Sequence, residues 1–390
     1  MKFLAKLYFL DFQYDVERNR VLYDIIFLSL YIFLYILQLP ITIILSYFVA
    51  TLYVLVFHKC FKISRLLFQI SSIVVVLFLL PVINFNHGIT PLFHLIFLPV
   101  LILIATNFSK KSLAELYQTF RAFQYQNIFF ISAGLIYHYD DIDPIGSIIP
   151  WVSRNGITSV LIVCQIAFTF VTYLHTKKFP LLSMFLVVVI SFYGSGRGSI
   201  IVSVLLLLFG AILNVFHSKS YKLKIFTLIF ISGLIFFLNS NYETIILLEN
   251  IEEGINKTQF GQGYTDEARI GMKDEYLSKL DFYNFFMGAS YKDTSIERDF
   301  ASNPHNSFIR LHSYYGIFGI TVLLMVISSI LIANKDKSVK FTLLILLVLL
   351  LFRSYTEPIL FPSALDLFFL FMIALYFRKN YFISNDKILI

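Results

Sequence analysis

Charge is what this chain has little of. Asp, Glu, Lys and Arg make up 14% of its 390 residues, where a soluble globular domain carries about 25%. Beside 58% hydrophobic residues, that shortfall excludes an ordinary soluble domain, and with it the rule of one domain per ~150 residues. Cysteine is nearly missing: Cys60 falls in a basic stretch and Cys164 inside an apolar run, which excludes a disulfide framework. No His, Cys and carboxylate spacing of a standard metal-binding kind is present, so no metal is expected. Internal repeats and low-complexity linkers are absent. A cleavable signal is not expected, because Asp11, Asp15, Glu17, Arg18 and Arg20 precede the first apolar run and no small-residue cleavage site follows it. The net charge of +7 sits mostly in short stretches between apolar runs, so no nucleic-acid partner is expected.

What is abundant is long apolar sequence. A membrane-spanning helix needs roughly 20 apolar residues, and runs of that kind recur along the whole chain. Spans are expected near 21–39, 41–57, 66–85, 91–106, 122–137, 156–174, 179–193, 199–216, 223–238, 307–333, 339–352 and 362–377. Residues 107–121 read instead as a surface helix. The expected fold is therefore an all-α, polytopic integral membrane protein of about 12 transmembrane helices. It divides into spans one to nine (1–240), a large polar loop (241–304) and spans ten to twelve (305–390). Aromatic residues, 18% of the chain and mostly Phe and Tyr, suit lipid-facing and interfacial positions.

Lys and Arg counts set the orientation. With the N-terminus inside, the basic stretches around Lys59, Lys110, Lys177, Lys219, Lys335 and Arg378 all fall on one side. Both termini are then cytoplasmic, and the 241–304 loop faces outward.

The outer side should be poor in arginine, yet Arg154, Arg197, Arg310 and Arg353 stand there at span ends, and Arg269 lies in the loop. Arginine at a membrane surface is costly unless it is paired or snorkels. A nearby carboxylate or a lipid headgroup would serve any one of them. Guanidinium also grips phosphate in a bidentate fork, so several converging at one leaflet fit a lipid diphosphate. Arg197 sits in Gly194-Ser195-Gly196-Arg197-Gly198, where glycine allows close backbone approach and the next helix adds free N–H groups. A plain turn between two helices is the other reading. His305, after Pro304 and before span ten, has the side chain suited to proton exchange near neutral pH. His312 follows about two turns later. In the loop, Ala268, Met272, Tyr276 and Leu280 form an apolar stripe, with Arg269 beside it. The acidic residues around it read as a solvated face.

Three features together resemble the family of O-antigen polymerases and O-antigen ligases. They are the Gly194–Gly198 segment with its arginine, the Arg269 helix in a large outer loop, and Pro304-His305-Asn306-Ser307-Phe308-Ile309 with Gly316 and Gly319 beyond it. The turn at Arg154-Asn155-Gly156 is similar as well. The chain departs from the family's pattern at Gly196, where Ser more often precedes the arginine. The resemblance implies a metal-independent membrane glycosyltransferase without cofactors, in the inner membrane of a bacterium, taking undecaprenyl-diphosphate-linked oligosaccharides. It implies that Arg197 and Arg269 hold the diphosphate and that His305 acts at the reacting sugar. Arg154, Arg353, Asn306 and Arg310 are the further candidates for substrate binding. Membrane lipid, a chain-length regulator and a flippase are the partners it implies. The expected activity is polymerisation of repeat units into O-antigen or capsular polysaccharide. A ligase acting on a lipid A core and a transporter of lipid-linked sugars are the alternatives.

Overall fold

A computed structural model describes residues 19–57, 65–83, 87–141, 143–149, 152–194, 196–217 and 267–378. The described residues form fifteen helices and no strand. In chain order α1 is Arg20–Ile36, α2 Pro40–Val56, α3 Arg65–Val82, α4 Thr90–Ser109, α5 Leu113–Tyr137 and α6 Pro144–Ile148. Then come α7 Arg154–Thr176, α8 Leu181–Tyr193 and α9 Arg197–His217. After the undescribed segment follow α10 Glu267–Ser278, α11 Phe282–Met287, α12 Ser295–Arg298, α13 Ser307–Ile332, α14 Lys337–Thr356 and α15 Asp366–Phe377. Five of these, α4, α7, α9, α13 and α14, are long and apolar enough to cross a membrane. The protein is a membrane-embedded helical bundle.

Helix α7 is its axis. An α-helix apolar all round has to be enclosed by protein or lipid, and every residue from Ile157 to Leu174 is buried. Around it stand α1, α5, α8, α9, α14 and α15. Its few polar side chains find partners inside the bundle: Gln165 accepts from Gln124 at 3.0 Å and donates to Thr169 at 3.2 Å. Such interhelical bonds satisfy polar groups that neither core nor lipid would. Outside this centre α4 packs closely on α15, and α3 on α13.

Three expected boundaries shift. Residues 113–121 do not form a separate surface helix: α5 runs unbroken from Leu113 to Tyr137. Ser112 and Glu115 build a reciprocal capping box at its start, no Gly or Pro interrupts it before Gly134, and Arg121 lies over the Tyr117 ring. The last helix begins at Asp366 rather than Pro362. The Asp366 carboxylate accepts the N–H groups of Phe361 (2.9 Å) and Ser363 (2.8 Å), which folds the preceding residues into a loop. Finally, α9 starts at Arg197, two residues early. The span expected at 223–238 and residues 241–266 of the polar loop lie outside the described residues.

The two ends of the bundle differ in chemistry. At one, Lys111 and Asp24 form a buried ion pair that Tyr53 joins at 2.6 Å. Arg378 donates to the Lys111 carbonyl, and Lys335 to the Arg378 carbonyl at 2.8 Å. At the opposite end lie the starts of α7, α9, α13 and α15, the ends of α1 and α14, and the segment α10–α12.

Candidate functional site at the capped end

The starts of α7, α9, α13 and α15 are among the helix N-termini at the second end, and a helix start carries N–H groups without intrahelical partners and a partial positive charge. Ser153 caps α7 by accepting from Gly156 N at 3.0 Å. Asn306 caps α13 by accepting from Phe308 N and Ile309 N. These two bonds occupy the Asn306 carbonyl oxygen, so this candidate for substrate binding also sets the start of α13.

Gly194, Gly196 and Gly198 face the protein itself. A Cβ at Gly194 would come within 2.5 Å of the Thr158 methyl, and one at Gly198 within 2.7 Å of Thr356 Oγ1 and 3.3 Å of Arg353 Nη1. At Gly196 it would overlap Asn155 Oδ1. The glycines let the α8–α9 turn press against α7 and α14. Thr158 and Ser199 complete the junction with a hydroxyl contact of 2.9 Å. Arg197 opens α9 beside this junction and is half-buried.

Arg353 differs from the expectation of a surface cation. Its side chain is 2% exposed and donates to Thr356 Oγ1 at 2.7 Å, the Asn155 carbonyl at 3.3 Å and Ser159 Oγ. It clamps α14 to α7 rather than facing a ligand. Arg154 stands at the start of α7 with Nη1 3.9 Å from Asp143 Oδ2, both partly exposed. Arg310, one turn into α13, is half-buried. Its Nη2 donates to the Leu360 carbonyl at 2.9 Å, while its Nε is buried without a hydrogen-bond partner.

His305 occupies the rim. Its φ of 45° is left-handed, a conformation that costs a non-glycine residue about 1–2 kcal/mol. Its backbone N–H donates to Asn303 Oδ1 at 3.0 Å, and its ring meets Phe300 edge-on. Nδ1 lies 3.5 Å from Glu357 Oε2. Glu357 is the residue that sequence reasoning missed. Its one available signal was its place four residues after Arg353, since i and i+4 share a helix face. Here it ends α14, where Ser307 Oγ donates to its carbonyl at 3.0 Å.

His312 does not join His305. Its Nδ1 meets Tyr276 Oη at 2.7 Å and its Nε2 the Phe285 carbonyl at 3.0 Å, so both ring nitrogens tie α10 and α11 to α13. Among the described residues no group of three or more His, Cys, Asp or Glu is placed to hold a metal ion.

The cap over this end is α10–α12 with its loops. Met272, Tyr276, Ala289, Tyr291 and Ile296 form its own small core, with Leu280 and Ile309 packed against it. Of the expected stripe, Met272 and Tyr276 thus lie on the inner face of α10 and Leu280 packs beside them just past its end, while the Ala268 side chain lies outside the described residues. Glu275 accepts the Ser295 N–H at 2.6 Å, which holds its carboxyl below the usual range. Arg269 lies in the first turn of α10, and its side chain lies outside the described residues.

The cap docks on α13 through backbone. Gly316 interrupts α13 with φ 58° and ψ −155°, and a Cβ there would overlap the Phe286 carbonyl. Gly288, at φ 84°, leaves no space for a Cβ against the carbonyls of His312 and Ser313. His87, between α3 and α4, closes the joint. Its Nε2 contacts Ser313 Oγ and lies 3.2 Å from the Ala289 carbonyl. Burial pushes its pKa below the ordinary value.

No protein-family model, curated protein or solved structure matches this chain.

Proposed function

We propose that this protein is a polymerase of lipid-linked oligosaccharide repeat units, acting at the capped end of the bundle on the periplasmic face of a bacterial inner membrane. The observation that carries the reading is one convergence. The starts of α7, α9 and α13, which carry Arg154, Arg197 and Arg310, lie at the same end of the bundle as the His305–Glu357 pair and the cap α10–α12. The gathering of Lys111, Lys335 and Arg378 at the other end supports that end as cytoplasmic, because basic residues are retained inside.

In this reading Arg197 and Arg269, with Arg154 and Arg310 nearby, hold the diphosphate of the donor lipid. Its glycosyl C1–O bond breaks, the lipid diphosphate leaves, and fixed positive charge stabilises the negative charge that develops. An acceptor hydroxyl of a second lipid-linked unit forms the new C1–O bond. His305 Nε2 takes the hydroxyl proton, and Glu357 beside Nδ1 stabilises the resulting imidazolium. Arg353 and Asn306 position these groups from within the scaffold.

The test uses the producing cell. Arg197→Ala or His305→Ala, with protein still in the membrane, should leave single repeat units on surface lipopolysaccharide. Normal long-chain ladders in both variants would overturn the site. A deletion strain separates the functions: one capped repeat supports polymerisation, a core bearing none points to a ligase, and repeats trapped inside point to a transporter.

A further inference from the structure

The cap carries a ridge that neither its small core nor the proposed chemistry uses. Helix α11 reads Phe282-Tyr283-Asn284-Phe285-Phe286-Met287, and none of its residues is fully buried. Phe282 is 84% exposed, with Tyr283, Phe285 and Phe286 also outward. A water-facing cap would not ordinarily leave four adjacent aromatic rings uncovered.

The depth of α11 explains what covers them. From its interruption at Gly316 to its end at Ile332, α13 rises about 24 Å at 1.5 Å per residue. A bilayer's hydrocarbon core is about 30 Å thick, or about 20 residues of helix. Counting back from Ile332, exposed at the basic end, the upper hydrocarbon boundary falls near Ser313. Gly316, the contact point of Phe286, then lies about 4–5 Å inside that boundary. The six residues above it, Ser307–His312, contain Arg310 and stand at headgroup level. The ridge also continues a lipid-facing surface: α11 packs against α3 as well as α13, and near its end α3 exposes Leu80 and Ile83.

We infer that α11 is an interfacial anchor whose aromatic side chains insert into the outer leaflet at the headgroup–acyl boundary, so that the lipid surface itself holds one edge of the cap. Aromatic rings favour that layer, and short monotopic helices bind it through buried apolar area. Docking satisfies the backbone condition too, since irregular main chain at this depth is tolerated only against protein. The inference rests on the membrane reading and not on the proposed catalysis.

The test moves the chain's single tryptophan, Trp151. Full-length Trp151→Phe/Phe282→Trp is reconstituted into phosphatidylethanolamine–phosphatidylglycerol vesicles. The acyl chains carry bromine either near the headgroup or near the terminal methyl. Bromine near the headgroup should lower the emission about two-fold, with a clearly smaller loss for the deep position and little quenching by aqueous iodide. Trp151→Phe/Tyr283→Trp should behave alike and keeps the test valid if one variant misfolds. Iodide quenching without any bromolipid effect would overturn the inference, whether water or a soluble partner covers the ridge. Stronger quenching from the deep position would overturn the assigned depth.

Discussion

Substituting Gly316 by Ala should open the cap. The residue holds φ 58° and ψ −155°, a region essentially reserved for glycine, and forcing another residue into it costs about 1–3 kcal/mol. The added Cβ would also occupy the position of the Phe286 carbonyl, so α11 must retreat or α13 straighten. Either response separates the cap from α13. A penalty near 2 kcal/mol raises the open population about 30-fold, and where opening is fast relative to cleavage the rate of proteolysis rises by the same factor. The assay is limited trypsin digestion of the purified protein in detergent, following cleavage at Lys273, Lys279 and Arg298 in the cap. Two other glycines calibrate it. Gly319→Ala meets the Leu311 side chain at 2.8 Å and Tyr315 Cβ at 3.2 Å but no backbone atom, and should have a smaller effect than Gly316→Ala. At Gly271, inside α10, a Cβ meets nothing within 4 Å. Alanine there should stabilise α10 by about 0.5–1 kcal/mol and slow cleavage. If Gly316→Ala is cut no faster than the parent chain, the backbone docking described above is wrong.

Two further outcomes follow from the same geometry. His87 has a pKa lowered by burial. The undocked form therefore takes up a proton first, so cap docking is complete above pH 6.5 and weakens as pH falls through the docked value. Cap proteolysis should accelerate on acidification from pH 7 toward 5, and His87→Gln should flatten that dependence; equal profiles would remove His87 from the joint. Arg353→Met keeps an aliphatic stem but loses the bonds to Thr356, Ser159 and Asn155. It should cost about 2–3 kcal/mol, read as a lower melting temperature in detergent, and an unchanged melting temperature would refute the clamp.

The glycine segment shows where reading the chain alone reaches its limit. Three glycines around an arginine signal close approach, and close approach is what is found. Spacing does not say whether a ligand or the protein's own helices do the approaching. Asn155, Thr158, Thr356 and Arg353 lie 35 or more residues away in sequence, and they fill that space. The inner stripe of α10 was legible because a 3.6-residue period is a local property. Glu357 was not, because its partner His305 comes from the loop before α13, 52 positions earlier.

The sequence by itself determined that this is a helical membrane protein. Long apolar runs leave few other solutions once every buried backbone group must be bonded within its own segment. It also determined the position of most helices, through Pro, Gly and capping residues that act within a turn or two. Only the tertiary structure decided which polar groups are used up inside the protein. Burial and partners separate Arg353, sealed at the junction of α14 and α7, from the half-buried Arg154 and Arg310. They likewise separate His312, spent on holding the cap, from His305 at the rim. Those distinctions depend on distances between helices remote in the chain, which no local pattern encodes.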